Sequence, residues 1–422
     1  MTEATSLAAP SSPGLRGAPP WIFGVMIAPM GVFNGVLTII FPYLAVHRGM
    51  PVAAIGSVVG AGMLASPLKL LWTPLIDLAW PLRGWIAASA LACALSIGGL
   101  LLAVDGQFSA GLLAGLAFAA GTAVAFSQIA TSGLLALAVD EAQLGAASGY
   151  LQTGNLVAQG LGGAAGLWLA TQMGLKAAAA AIALATLASA SAVLLVAEPE
   201  RGHFATALPT RIVSIGRELW EMARHRRSLF VIILFATPIG AGAASFLFSG
   251  VAGDWHAGAG TVAFATGLGA ACASAVGAFL YGQLADRFDK VASLLAAGVL
   301  LAIAAVLLAV MPRTPQAFAI GALFYALCLG CSYTAFTALL FETIGRGAAA
   351  SKFCVLNAVG NLGNFYMPVL LGLVHDRRST TVMLWFEAVV TMGFIAAFAL
   401  IDRAMRSRRP AIRTVGTALE AI

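Results

Sequence analysis

Twelve runs of predominantly apolar residues recur along the chain, at roughly 21–46, 52–76, 84–104, 108–138, 145–170, 176–196, 228–251, 260–283, 291–311, 316–342, 351–374 and 381–402. About 20 apolar residues at a helical rise of about 1.5 Å per residue cross the hydrocarbon core of a bilayer. At that depth no water is available to the backbone, so each run must satisfy its own peptide hydrogen bonds and is expected to be helical. Composition points the same way: 60% of residues are hydrophobic, 9% are charged, and the mean hydropathy is +0.93. Soluble domains carry about 25% charged residues. The expected class is an all-α polytopic membrane protein of twelve transmembrane helices, embedded in a lipid bilayer. The formal charge of +6 carries no nucleic-acid signal, because the basic residues lie in loops and in the tail.

Those basic residues set the orientation. With the N-terminus inside, seventeen Lys and Arg fall on the inner side and five on the outer, leaving Lys69 embedded. The positive-inside rule then places both termini in the cytoplasm. The chain divides into a disordered N-terminus (1–20), a six-helix half (21–196), a linker (197–227), a second six-helix half (228–402) and a basic tail (403–422). Within the linker, Ile212, Ile215, Leu219, Trp220 and Met222 share an apolar side of a potential helix from Pro209 to Arg227. It is either an amphipathic helix on the inner leaflet or a solvated connection between the halves.

The halves repeat. At an offset of 202 residues Asp140 falls on Glu342, Asn155 on Asn357 and Gln159 on Asn361; at 209, Asp77 falls on Asp286. Apolar helices resemble one another by chance, but chance accounts poorly for carboxylates falling on carboxylates. The expectation is a parallel duplication into two pseudo-symmetric six-helix halves.

Polar residues inside the runs are the functional candidates, because they are costly in lipid. The fifth run carries Gln152, Asn155 and Gln159 at i, i+3, i+7; the eleventh carries Asn357, Asn361 and Asn364 at i, i+4, i+7. Each set occupies one helical face. Interhelical hydrogen bonding is one reading; the wall of a wet central cavity that binds a polar solute is the other, favoured by the symmetric placement. Tyr150, Gln128, Ser127 and Ser132 add polarity nearby, and Asn34 and Thr38 face the same space. Lys69 is either a cavity cation for anionic solutes or a side chain snorkelling to the interface. Pro67 and Pro74 bracket it and are expected to open the helix there.

Glu342 stands one turn before Arg346, as an interfacial pair or as part of a gate. Glu387, near the outer end of the last run, is expected at the interface. Cys328 and Cys331 lack His partners and read as small apolar fillers. No nucleotide loop, metal cluster or nucleophile elbow stands out, so no enzyme, metal or cofactor is expected.

Two blocks carry a resemblance. Gly282-Gln283-Leu284-Ala285-Asp286-Arg287-Phe288-Asp289-Lys290 resembles the signature of major facilitator transporters, in which Asp286 would answer the dipole of a neighbouring helix and Arg287 would pair across the seam between halves. Pro67-Leu68-Lys69-Leu70-Leu71-Trp72-Thr73-Pro74-Leu75-Ile76-Asp77 is similar to the signature of the AmpG-type muropeptide permeases, a branch that includes acetyl-CoA transporters and some siderophore importers. That branch commonly has Gln-Asp-Ile-Ala-x-Asp in the fourth span; here the run is Ser127-Gln128-Ile129-Ala130-Thr131-Ser132, and both acids are neutral.

The resemblance implies a proton-coupled importer of the inner (plasma) membrane of bacterial type. It would act as a monomer on a polar, possibly anionic small molecule such as a muropeptide or siderophore. The substrate-binding set is Lys69, Asn34, Gln128, Tyr150, Gln152, Asn155, Gln159, Asn357, Asn361 and Asn364. The gate and coupling set is Asp77, Asp140, Asp286, Arg287, Glu342 and Arg346. Export of drugs or metabolites, and a non-transporting sensor, stay open as alternatives.

Overall fold

A computed structural model describes residues 18–69, 76, 80–106, 109–139, 143–198, 213, 217, 220, 224–285, 289–344 and 349–407. Among them the chain crosses the bundle twelve times, all by helix. Eight crossings are long and apolar enough to span a membrane on those grounds alone: Trp21–His47, Leu82–Asp105, Ala110–Ala138, Leu175–Leu195, Ala259–Gln283, Lys290–Val310, Pro315–Thr343 and Thr380–Met405. The others are short, interrupted or polar. The second pass is regular only over Val52–Leu64, and the fifth, Leu144–Gln172, is long but carries four amides, Gln152, Asn155, Gln159 and Gln172.

The same packing scheme appears twice. The third pass lies on the fourth and sixth, the second on the fourth, and the first on the fifth; the ninth lies on the tenth and twelfth, the eighth on the tenth, and the seventh on the eleventh. The duplication expected from the carboxylate and amide offsets is therefore a duplication of contacts. The seam obeys it too, since the second pass packs on the eleventh and the fifth on the eighth.

Glycines allow that seam to close. A Cβ on Gly56 would lie 2.2 Å from the Pro368 carbonyl oxygen, and one on Gly372 would lie 2.6 Å from that of Val52. Backbone against backbone at this spacing is the small-residue packing that helices use in lipid, where no hydrophobic force drives them together.

Several passes are not regular. In the first, Pro29 and Pro42 begin new helical segments around a π-helical turn, Val36–Ile40. The second pass leaves the helix after Leu64 and turns through residues 65–68 around Pro67, as the proline predicts.

The seventh pass corrects the expectation of an unbroken helix over 228–251. Arg226–Ala236 ends at Thr237-Pro238, and the chain resumes as short segments, Ala243–Phe246, Phe248–Val251 and Ala252–Trp255. Gly240 and Gly242 take positive φ in the gap, a conformation that residues with a Cβ rarely adopt.

The calls on residues 1–17, on most of the linker and on the tail beyond residue 407 lie outside the described residues. Of the linker, Val213, Trp220 and Arg224 are exposed, with the Arg224 guanidinium 5.7 Å from the Trp220 ring centre.

Candidate functional site

The eleventh pass breaks at Asn361, between Ala349–Gly360 and Leu362–Arg377. Its three amides form a ladder. Asn361 Nδ2 donates to Asn357 Oδ1 at 2.7 Å and to the Asn357 carbonyl at 2.8 Å, and Asn364 Nδ2 donates to Asn361 Oδ1 at 3.1 Å. The ladder ends on Asn364 Oδ1, which is buried and has no partner. In the fifth pass Asn155 is only 8% exposed, and its Oδ1 is likewise buried without a partner. Buried amide oxygens nearly always have a partner, so one orphaned acceptor on each stripe marks a place where a water or a solute donor belongs. Gln159 is half-buried one turn further along.

Exposure on two opposite faces locates the open space. Gln152 and Leu161 lie nine residues apart, about two and a half turns, and so point in opposite directions; both are exposed. Tyr333 and Phe324 of the tenth pass stand in the same relation, and both are exposed. Leu161 and Phe324 belong to outward, lipid-facing stripes. Gln152 and Tyr333 therefore face a gap inside the bundle, on the side of the chain termini. Tyr150 falls on the stripe of Val157, Leu161 and Trp168, all exposed. The helical phase thus takes it away from the amides it was grouped with.

Lys69 does not point toward lipid. It is half-buried, and its Nζ donates to Gln128 Oε1 of the fourth pass. Ser127 beside it is buried and Ser132 is exposed. Asn34 is half-buried, and Thr38 is buried and donates to the Asn34 carbonyl at 2.7 Å.

Asp77, Asp140, Asp286, Arg287 and Arg346 lie outside the described residues. Within the block 282–290 the acid that caps the ninth pass is Asp289, whose Oδ1 accepts from Val291 N and Ala292 N, both at 3.1 Å. Glu342 pairs with Arg227 of the seventh pass at 2.7 Å; both are substantially exposed, which fits an interfacial pair.

The end of the seam away from the termini is shut by groups that the sequence did not single out. Asp376 of the eleventh pass accepts from Val52 N at 3.0 Å and from Ala53 N at 2.9 Å, capping the second pass from the opposite half. Ser249 of the broken seventh pass donates to the Thr38 carbonyl at 2.7 Å, inside the π-helical turn of the first. Glu387, expected at the interface, is instead buried at 5% exposure. Its Oε1 accepts from Ala244 N at 2.9 Å, and Tyr325 Oη lies 3.0 Å from both of its oxygens. Position near a helix end suggested an interfacial acid; the helix phase and the gap in the seventh pass draw it inward. Cys328 and Cys331 are buried free thiols, and no group of three metal-ligating side chains is present among the described residues.

A family model described as Major Facilitator Superfamily matches residues 22–249 and 230–419. No curated relative matches the chain. Among solved structures it is similar to a D-xylose-proton symporter, at 14% identity and a TM-score of 0.71 over 90% of this chain and 96% of that one. It is also similar to a bacterial homolog of the human lysosomal transporter Spinster, captured inward-facing and unoccupied, at 15% identity and 0.71 over 93% and 99%. A third is the nucleoside transporter NupG, at 12% identity and 0.68 over 91% and 98%.

Proposed function

The chain belongs to the Major Facilitator Superfamily, and on that premise we propose that it is a proton-coupled secondary transporter importing a polar, anionic small molecule of the muropeptide or siderophore kind. The observation that carries the reading is the pair of amide stripes, each carrying a buried, unpartnered amide oxygen beside a seam closed at one end. Such oxygens favour a solute rich in N–H and O–H donors. Residues 21–196 and 228–402 rock as two bodies, exposing the stripes to one side of the membrane at a time. Lys69, held by Gln128, attracts the anionic group. Asp77, Asp140, Asp286, Arg287, Glu342 and Arg346 latch the cytoplasmic end, with both termini in the cytoplasm and the monomer as the working unit.

The test is uptake into proteoliposomes of a panel of labelled muropeptides, siderophores, sugars and nucleosides, with and without an imposed pH gradient. Accumulation of one class that the gradient accelerates is the expected result. If every solute enters at the rate of empty liposomes, transport of these classes is ruled out; uptake indifferent to the gradient removes the proton.

A further inference from the structure

Glu387 is a carboxyl group about 10 Å inside the closed end of the bundle, counting seven residues at helical rise from Thr380. It holds the broken part of the seventh pass in place. The gap at 237–242 leaves the first N–H groups of the following segment without helical partners, as at any helix start. Glu387 supplies an acceptor for the one on Ala244 and takes the Tyr325 hydroxyl as well. Both neighbours of this carboxyl, the Ala244 N–H and the Tyr325 hydroxyl, can donate to it, an arrangement that favours the ionised form.

From Ala244 the segment runs on through Phe248, whose ring meets Tyr325 edge-on at 4.9 Å, to Ser249, which closes the seam on Thr38. A single short piece of chain thus joins a titratable group to a contact between the halves.

We propose that Glu387 is the site at which a proton acts on the gate. This deepens the reading of the chain as a proton-coupled transporter and rests on it. When a proton adds to the carboxylate, the charge that strengthens the bonds to Ala244 N–H and Tyr325 O–H is lost, and one oxygen becomes a donor. The segment 243–255 is released and the Ser249–Thr38 contact opens; deprotonation restores it.

The groups facing Glu387 leave it as the titrating centre. The tenth pass brings Tyr325, with Cys328 one turn on. The seventh brings backbone at Ala243 and Ala244 beside the carboxyl and, at the outer end of the same segment, Asp254, whose Oδ2 accepts from Thr380 Oγ1 at the start of the twelfth pass, with the Arg313 guanidinium 3.9 Å from the Trp255 ring centre next to it. The ninth brings no titratable side chain before Lys290 at its far end, its one polar residue before that being Ser293. The eleventh brings Tyr366, which donates to the Ala236 carbonyl at 3.0 Å, and His375, Asp376 and Arg377 only at its outer end.

The experiment uses the full chain in liposomes with spin labels on His47→Cys and Gly253→Cys, which report the spacing of the first and seventh passes at the closed end. Exposed Cys272 is replaced by Ser. Distances are recorded across a pH series, and the infrared band of a neutral carboxylic acid is followed in parallel. Glu387→Gln keeps an acceptor for Ala244 but cannot ionise; Glu387→Asp keeps the titration and guards against a variant that fails to fold.

The expected result is a distance that lengthens as pH falls, together with growth of the acid band, in the unmodified chain and in Glu387→Asp. In Glu387→Gln the distance change vanishes and the acid band loses the part contributed by Glu387, leaving only that of the other carboxyls. A distance change with pH that survives in Glu387→Gln overturns the proposal, as does its absence from the unmodified chain. In either case uptake decides the wider reading: gradient-accelerated transport means that the proton binds elsewhere, and uptake indifferent to the gradient removes proton coupling altogether.

Discussion

Replacing Asp376 by alanine removes two hydrogen bonds that cross the seam, those accepted from Val52 N and Ala53 N at 3.0 and 2.9 Å. A hydrogen bond to a charged group contributes about 1.5–3 kcal/mol net when it is well shielded. This carboxylate is partly exposed, and water can replace it on both N–H groups once the seam opens, so about 1 kcal/mol for each bond is appropriate. The charge also faces the N-terminus of the second pass, but at this exposure it adds only a few tenths of a kcal/mol. The closed state should lose about 2 kcal/mol relative to the open one, which is about thirtyfold in their ratio at about 1.4 kcal/mol per decade. A thiol at Val52→Cys, a position 4% exposed in the closed seam, reports that ratio through its rate of labelling by a membrane-impermeant maleimide. With Cys272 replaced by Ser, labelling should accelerate about thirtyfold in Asp376→Ala. Asp376→Asn, which keeps an acceptor oxygen but no charge, should accelerate it several-fold by the same reasoning. An unchanged rate in a folded Asp376→Ala protein would show that this cap contributes nothing to closure.

Gly56→Ala places a Cβ 2.2 Å from the Pro368 oxygen; the second and eleventh passes must separate, so the same thiol should label faster and transport should fall several-fold. Asn155→Ala removes an amide whose oxygen has no protein partner, and the KM of the solute identified by uptake should rise about tenfold, the equivalent of one hydrogen bond, with expression intact; an unchanged KM would assign Asn155 to packing. Lys69→Ala should abolish uptake at normal expression, whereas full activity would mean that the lysine serves the interface and not the solute. Ser249→Ala deletes the bond to the Thr38 carbonyl and should speed labelling at Val52→Cys by less than Asp376→Ala does, since it removes one neutral bond where the other removes two charged ones.

How far the site was legible depended on whether a residue's meaning lay in its own helix. The amide stripes could be read as faces because helical period alone puts residues three, four and seven apart on one side, and Lys69 stood out because charge in an apolar run is rare; their part in binding solute is what the uptake experiment tests. Tyr150 was misplaced through proximity in sequence, where the phase of Val157, Leu161 and Trp168 decides. Nothing in the sequence marked Asp376, since its partners are backbone N–H groups more than 300 residues away, and backbone donors leave no mark in a sequence.

What the sequence determined by itself was the number of crossings, their duplication and the polar faces. These follow from the thickness of a bilayer, the cost of an unpaired peptide group in lipid, and helical periodicity, all of them local. The tertiary structure decided which end of the seam is shut and where the seventh pass comes apart. It also turned Glu387 inward toward Tyr325 and the Ala244 amide. Those outcomes depend on close approach between distant segments: glycines that let two backbones touch, and a helix gap whose freed N–H needed an acceptor from another pass. A one-dimensional pattern records that such residues exist, but the balance among their partners is settled only when the helices meet.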